Sequence, residues 1–358
     1  MSKVSILLTG ATGYIGASIL QALLRRPDAK TFEISTLVRD PAKAKVIEEL
    51  GVKTVVGSFT DQDKLSALAE DAHVVIHTAD AADNLEALNA ILKGMKNRHE
   101  KTGDLPHLIH TSGAGVFIQL DARDEKTIYS DDDLSAIEAL PPTAFHRNVE
   151  LLVVDADETG RYARTHIVTP TLVYGLGHGP LFDAGVANPL TMAVNFFVRA
   201  ALKRGSVGVK DEGRAVWANV HIDDLVDLYV GLLDAILSDP EKVSHGRAGY
   251  FIAENGSTTI REVLQSIAEG LFALGRVPTP EVVPYAPGEA AQYFGGEVSP
   301  CVCSLRDASL TARNLLFSDA PCKGVRARRE VGWAPKHAAR ELLEGLKTEV
   351  KEYVQRAE

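Results

Sequence analysis

The chain has 358 residues, 45% hydrophobic and 24% charged, the proportions of a globular protein with material for one large core and a smaller one beside it. Its 38 basic and 48 acidic residues leave a net charge of −10, which excludes broad electrostatic attraction to nucleic acid or to an anionic membrane surface. Three late cysteines, Cys301, Cys303 and Cys322, cannot make a disulfide framework and, lacking a histidine or further cysteine at ligand spacing, specify no metal. The first strand starts at Lys3, too early for a secretory leader, and the apolar run 225–237 carries Asp227 and Asp234 and is too short to cross a bilayer. The expected compartment is the cytoplasm.

In chain order, residues 4–9 are a short Val, Ile and Leu run closed by Gly10, and 15–24 carry apolar residues at helical spacing. The alternation continues with strands at 33–38, 54–57, 73–78, 107–111 and 165–168, separated by helices at 42–50, 62–68, 84–101 and 149–159. Strands separated by such helices make a parallel sheet covered on both faces, so the expected fold is α/β, a doubly wound Rossmann sheet. Beyond Tyr174 the pattern turns glycine-rich, with helices at 189–203, 223–237 and 259–274 and a late strand at 249–253 that returns to the main sheet. The expected division is a Rossmann domain over 1–175, with returning elements near 215–235 and 247–254, and a smaller α/β portion over 176–358.

The loop between the first strand and first helix reads Thr9-Gly10-Ala11-Thr12-Gly13-Tyr14-Ile15-Gly16. Gly10 permits a tight turn, Gly13 lets backbone approach a pyrophosphate, and Gly16 lets helix and strand pack closely. The free N–H groups and dipole at the helix start then favour phosphate charge, so the loop predicts a dinucleotide site through Gly10, Thr12, Gly13, Tyr14, Ile15 and Gly16. The second strand ends Leu37-Val38-Arg39-Asp40-Pro41. Where an acid would hold the ribose of NAD, the cation Arg39 comes first, with Lys43 and Lys45 nearby; this favours NADP(H) over NAD(H). Asp40 opposes that preference unless its carboxylate turns away.

These motifs resemble the extended short-chain dehydrogenase/reductases, the epimerase/dehydratase-like group, across nearly the whole chain. Four segments carry the resemblance: the glycine loop, Leu37 to Pro41 (similar to dihydroflavonol reductases), Pro170-Thr171-Leu172-Val173-Tyr174-Gly175, and Val220-His221-Ile222-Asp223-Asp224-Leu225. It implies that Ser58 and Phe59 flank the adenine, that Thr78, Ala79 and Asp80 line the cofactor, and that Thr111, Pro170, Thr171 and Leu172 approach the nicotinamide. Gly332-Trp333-Ala334-Pro335 resembles the closing segment and is read as packing. The segments His110 to Gly115 and Pro142 to Asn148 look closest to NmrA-like, atypical members.

Family members use a Ser and a Tyr-x-x-x-Lys, the Tyr passing a proton whose transfer the Lys eases. Here Gly113 stands at the serine position, Pro142 at the tyrosine and His146 at the lysine. Ser112 and His146 are the candidate catalytic residues, imidazoles titrating near neutral pH; Tyr129 and Tyr174 are further hydroxyls. His221, Asp223 and Asp224 suggest a charge relay but fit better as a helix start capped by Asp223 or Asp224. Asp131-Asp132-Asp133 reads as a solvated loop or helix cap and the basic stretch 323–329 as solvated surface, and Phe182, Met192, Phe196 and Trp217 as an apolar pocket, walled on the cofactor side by Tyr14 and Ile15. The expected function is NADP(H)-dependent hydride transfer with a small carbonyl, imine or enone. A binding-only redox sensor or a non-redox isomerase or lyase stays open. The expected partner is a small-molecule substrate, with neither nucleic acid nor membrane; a homodimer is compatible with the resemblance.

Overall fold

In the computed structural model, which describes residues 3–119, 126–294 and 316–357, the predicted alternation of strand and helix is realised in full. The first half runs β1 (Val4–Thr9), α1 (Tyr14–Arg25), β2 (Phe32–Val38), α2 (Pro41–Glu49), β3 (Lys53–Val56), α3 (Gln62–Glu70), β4 (Val74–His77), α4 (Leu85–Thr102) and β5 (His107–Thr111). Short β6 (Tyr129–Ser130) and α5 (Leu134–Glu138) lead to α6 (Arg147–Glu158), β7 (Arg164–Pro170) and β8 (Leu172–Tyr174). There follow α7 (Pro180–Asp183), α8 (Met192–Arg204), β9 (Gly208–Val209), β10 (Val216–His221), α9 (Ile222–Ser238), β11 (Tyr250–Ala253), β12 (Ser257–Thr259), α10 (Ile260–Ala273) and a C-terminal helix, Ala339–Ala357.

Seven strands form the central sheet in the order β3-β2-β1-β4-β5-β7-β11, all parallel. The winding direction reverses between β1 and β4, which opens a crevice at the carboxyl ends of those strands. β11 is the late strand anticipated from sequence and pairs Tyr250 to Ala253 with Ile167 to Pro170. One face is buried under α1 and α9, with Ile19, Leu23, Leu228 and Leu232 at its centre. The other is buried under α3, α4 and α6, with Leu65, Leu88, Ile91 and Val153. A third apolar cluster joins α8, α10 and the C-terminal helix through Val198, Ile267, Leu346 and Val350. Beside it β8, β10 and β12 make a small mixed sheet.

Several surface readings of the sequence change once the chain is folded. The cap of α9 is His221, whose Nδ1 accepts the Asp223 N–H, not either aspartate. Asp224 is buried instead, accepting the N–H groups of Lys336 and His337 at 2.8 and 2.9 Å while its own carbonyl receives the Trp333 indole N–H. Asp131 is not solvated: its carboxylate collects the N–H groups of Ile252, Val325 and Arg326. In the basic stretch Arg326 is buried against Glu330 and the Asp131 carbonyl, Arg328 pairs with Glu254, and Arg329 with Asp132. Apart from Glu330, four positions after Arg326, and the His221 cap beside Asp223, these partners come from 70 to 200 positions away, where local sequence cannot show them. Cys322 is a buried free thiol, whereas Cys301 and Cys303 lie outside the described residues. Among the described residues no helix is long and apolar enough to cross a membrane.

Candidate active site

The turn from β1 into α1 is built from glycine for reasons of space. Gly10 has φ +83°, and a Cβ there would stand 2.6 Å from Thr78 Oγ1. A Cβ on Gly16 would lie 2.3 Å from the Gly10 carbonyl oxygen, so helix and strand meet as closely as backbone permits. Helix α1 starts with Gly13 as its N-cap, with no side-chain cap and no acidic residue in the first turn. Its first N–H groups are thus left for a ligand, and the helix dipole favours an anionic one. Thr9 ties the turn to the end of β4: its hydroxyl oxygen accepts the N–H groups of Thr78 and Ala79, leaving the O–H for His77 Nδ1 at 2.8 Å. Thr78 Oγ1 donates to the Thr9 carbonyl.

Around this cradle the other expected cofactor residues divide. Arg39 is exposed at the end of β2 and makes no ion pair among the described residues. Asp40 caps α2, its carboxylate accepting the N–H groups of Ala42 and Lys43. Ser58 spends its side chain on Thr60 and Asp61 within the β3–α3 turn, and Phe59 meets the His77 ring edge-on at 6.2 Å. Asp80 adopts φ +51° and accepts from the Asn84 amide. Thr111 hydrogen-bonds Tyr229 in the core, Thr171 donates to the Ala253 carbonyl, Pro170 is buried in β7 beside Ala253, and Leu172 packs against the third cluster. The side chains of these last four residues point inward; what they offer the crevice is backbone. Tyr14 and Ile15 pack on the core rather than forming an open wall, the Tyr14 hydroxyl donating to the Gly175 carbonyl.

The expected catalytic pair separates. Ser112 is buried and donates to Glu150 at 2.6 Å, inside a network in which Glu150 also meets Arg147 and Tyr250. His146 takes a different place. It stands at the N-cap of α6 with φ +66°, a conformation costly for a side-chain-bearing residue, and its Nδ1–H donates to Asp83 Oδ1 at 2.8 Å. Both side chains are at least nine-tenths buried. Its Nε2 sits over Gly113 and Gly115, 3.2 and 3.1 Å from where their Cβ atoms would be. The glycine at the family's serine position and the histidine at its lysine position therefore fit each other: the ring occupies room that a serine would fill. Asp83 escaped the sequence reading because it lies in the 80–84 turn ahead of Asn84, the cap of α4, and looks like one more turn acid.

Two further imidazoles lie side by side in the sheet, His77 on β4 and His110 on β5, with ring centroids 5.5 Å apart. Burial drives His77 down to about 3, and His110 far below the usual imidazole range, with His77 and His146 adding to the effect. Both rings stay neutral, so of the three His146 alone has a carboxylate partner. Of the other hydroxyls, Tyr174 is buried and donates to the Ala338 carbonyl, and Tyr129 stacks its ring on Phe117. Nor does the expected apolar pocket assemble. Phe182 is in the core under α1, Trp217 bonds the Ser318 carbonyl, and Met192 and Phe196 line a separate cleft beside the C-terminal helix.

Sheet order, glycine cradle and crevice define a dinucleotide-binding α/β protein of the extended short-chain dehydrogenase type. The sequence profile of the NAD dependent epimerase/dehydratase family matches residues 6–244, and the chain belongs to that family. It is 30% identical to the oxidase ucsJ of Acremonium sp. over 92% of each chain. It is 22% identical over 95% of each chain to a 4-hydroxy-2-methyl-3-oxo-4-farnesyl-3,4-dihydroquinoline-1-oxide ketoreductase of Stigmatella aurantiaca. Among solved structures, UDP-glucuronic acid 4-epimerase from Bacillus cereus, in complex with UDP-glucuronic acid and NAD, superposes with a TM-score of 0.60 at 15% identity, over 98% of this chain and 100% of that one.

Proposed function

We propose that the chain is an NADP(H)-dependent oxidoreductase that moves hydride to or from a small carbonyl, imine or enone, with the His146–Asp83 pair handling the proton. The observation that carries this reading is His146, held in a strained left-handed conformation with Nδ1 on a buried carboxylate and Nε2 free of hydrogen bonds among the described residues. A buried polar pair with strained backbone beside a cofactor cradle is the arrangement expected of a proton-transfer group.

The residues fit a dinucleotide. The uncapped first turn of α1 takes the pyrophosphate, Arg39 the 2′-phosphate, Ser58 and Phe59 the adenine, Thr78 to Asp80 the connecting portion, and backbone at Thr111 and Pro170 to Leu172 the nicotinamide. When bound, such a cofactor supplies or accepts the hydride. Asp83 fixes the tautomer of His146 that keeps the lone pair on Nε2, and steadies the imidazolium when Nε2 is protonated. In the reducing direction the carbonyl carbon gains hydride, the π pair moves to oxygen, and Nε2–H delivers the proton that completes the alcohol. The oxidising direction reverses each transfer. Ser112 serves from behind, through Glu150, to set the end of β5. The third apolar cluster is read as the substrate-binding portion, and the compartment as cytoplasmic. Two relatives named as an oxidase and a ketoreductase support redox chemistry.

The test is a panel of aldehydes, ketones, imines and enones followed by NADPH absorbance, run on the wild type, His146→Ala and Asp83→Asn. Turnover that collapses in His146→Ala while NADPH still binds supports the reading. Tight NADPH binding with no turnover of any compound would replace it with a binding-only redox sensor.

A further inference from the structure

Away from the β5 exit, three side chains with metal-ligating chemistry converge and a fourth stands beside one of them, drawn from three distant segments. His178 comes from the loop after β8, His221 and Asp223 from the start of α9, and His337 from the segment leading into the C-terminal helix. Single ligand atoms of His221, Asp223 and His337 all lie within 4.8 Å of one another. His178 Nε2 is 2.9 Å from Asp223 Oδ1, and His221 Nδ1 faces the other oxygen, Oδ2, at 3.8 Å. We propose that His178, His221, Asp223 and His337 bind one divalent transition-metal ion of the zinc class.

Three imidazoles and one carboxylate are a complete tetrahedral donor set for such an ion. The nitrogens to be used are set by what the others already do. His337 Nδ1–H donates to Glu341 at 2.9 Å, which leaves Nε2 for the metal and provides the outer carboxylate that orients a metal-bound imidazole. His221 Nε2 is packed against Gly175, 2.4 Å from where a Cβ would stand, so Nδ1 is the ligating atom. Binding exchanges its long 3.2 Å contact with the Asp223 N–H for the metal. The support is prebuilt: Asp224 holds the backbone N–H groups of Lys336 and His337, fixing the His337 segment against α9. Zinc–nitrogen bonds of about 2 Å need ligand atoms about 3.3 Å apart, so the three-residue cluster closes by up to roughly 1.5 Å, with the stacked rings of His221 and His337 turning out of parallel and His178 swinging in from its bond to Asp223. Their centroids are now 3.8 Å apart at 26°. Side-chain exposures of 62% for His178 and 47% for Asp223 leave the site open to an entering ion.

The experiment uses the full chain with its affinity tag removed and Zn(II) alone as the probe, titrated by calorimetry and followed by thermal unfolding. One equivalent is expected to bind and raise the melting temperature with dose. His337→Ala and Asp223→Asn should each weaken binding on the order of 100-fold, and Glu341→Gln about 10-fold. His99→Ala, remote from the cluster, should leave it unchanged. Co(II) in place of zinc should give the intense visible bands of a tetrahedral site. A stoichiometry near zero, or an affinity that His337→Ala and Asp223→Asn do not alter, overturns the proposal and leaves a stacked histidine pair around a helix cap.

Discussion

The glycine turn at β1 and the His146–Asp83 pair at the end of β5 lie on one crevice but are made in opposite ways. The turn works through backbone: three glycines clear space and an uncapped helix start offers N–H groups, all contributed by eight consecutive residues. The β5 site is built from a ring and a carboxylate set in the space a glycine leaves, and its parts come from three elements: Gly113 after β5, Asp83 before α4 and His146 at α6. A function carried by backbone over a contiguous stretch is specified by spacing alone. A function carried by side chains depends on where distant segments meet, and it can be rebuilt with different residues while the fold stays unchanged.

The sharpest way to break this contrast is to remove the ring. His146→Ala should lower kcat by about 10²- to 10⁴-fold, the usual worth of a positioned acid–base group, and leave the NADPH dissociation constant unchanged. If binding falls with activity, His146 belongs to the cradle and the two regions are not separate. Gly16→Ala is next in size. The added Cβ meets backbone rather than a flexible side chain, so urea unfolding should show a loss of about 3 kcal/mol, together with lost dinucleotide binding.

Replacing Arg39 should split the two dinucleotides. Arg39→Ala is expected to weaken NADPH by roughly 10- to 100-fold, as for one lost charged hydrogen-bonding pair, and to leave NADH unchanged. Equal losses for both would remove the NADP preference. A pH-dependent effect concerns the far tether of the glycine turn, where Gly175 accepts from Tyr14 and donates to the buried Glu349 at 2.7 Å. Burial raises the Glu349 carboxyl from its ordinary 4.5 to about 7, partly offset by the Gly175 N–H. Because the folded value lies above the unfolded one, the contribution of this group to stability is complete below pH 4.5 and is lost as pH rises through 7. Relative to Glu349→Gln, the wild type should therefore lose about 3 kcal/mol between acid and mildly alkaline pH, read from urea midpoints.

The same contrast explains what could be read from the amino-acid order. Strand and helix periodicity, the Gly10 to Gly16 spacing and the late return of residues 249–253 were all legible, because each depends on neighbours in the chain. The direction of Thr111, Ser112 and Thr171 was not, since residues one apart on a strand point to opposite faces and the register of the strand end decides which faces the crevice. Asp83 was invisible for a different reason. Its partner lies 63 positions on, and nothing distinguishes a turn aspartate that caps from one that holds a ring. Asp131 and Asp224 repeat the lesson: acids that look like surface became buried collectors of backbone N–H groups from segments near residue 325 and residue 336.

The position of β11 at the edge of the sheet bears on how the protein emerges from the ribosome. β7 is complete at Pro170, yet the strand that covers its outer edge is not made until Tyr250 to Ala253, and β8, α8 and α9 come between. During that interval a nascent chain exposes one row of unpaired β7 amides and carbonyls, a ready template for a second nascent chain. Truncations ending between residues 170 and 250 should accordingly aggregate rather than yield an isolated cofactor-binding half.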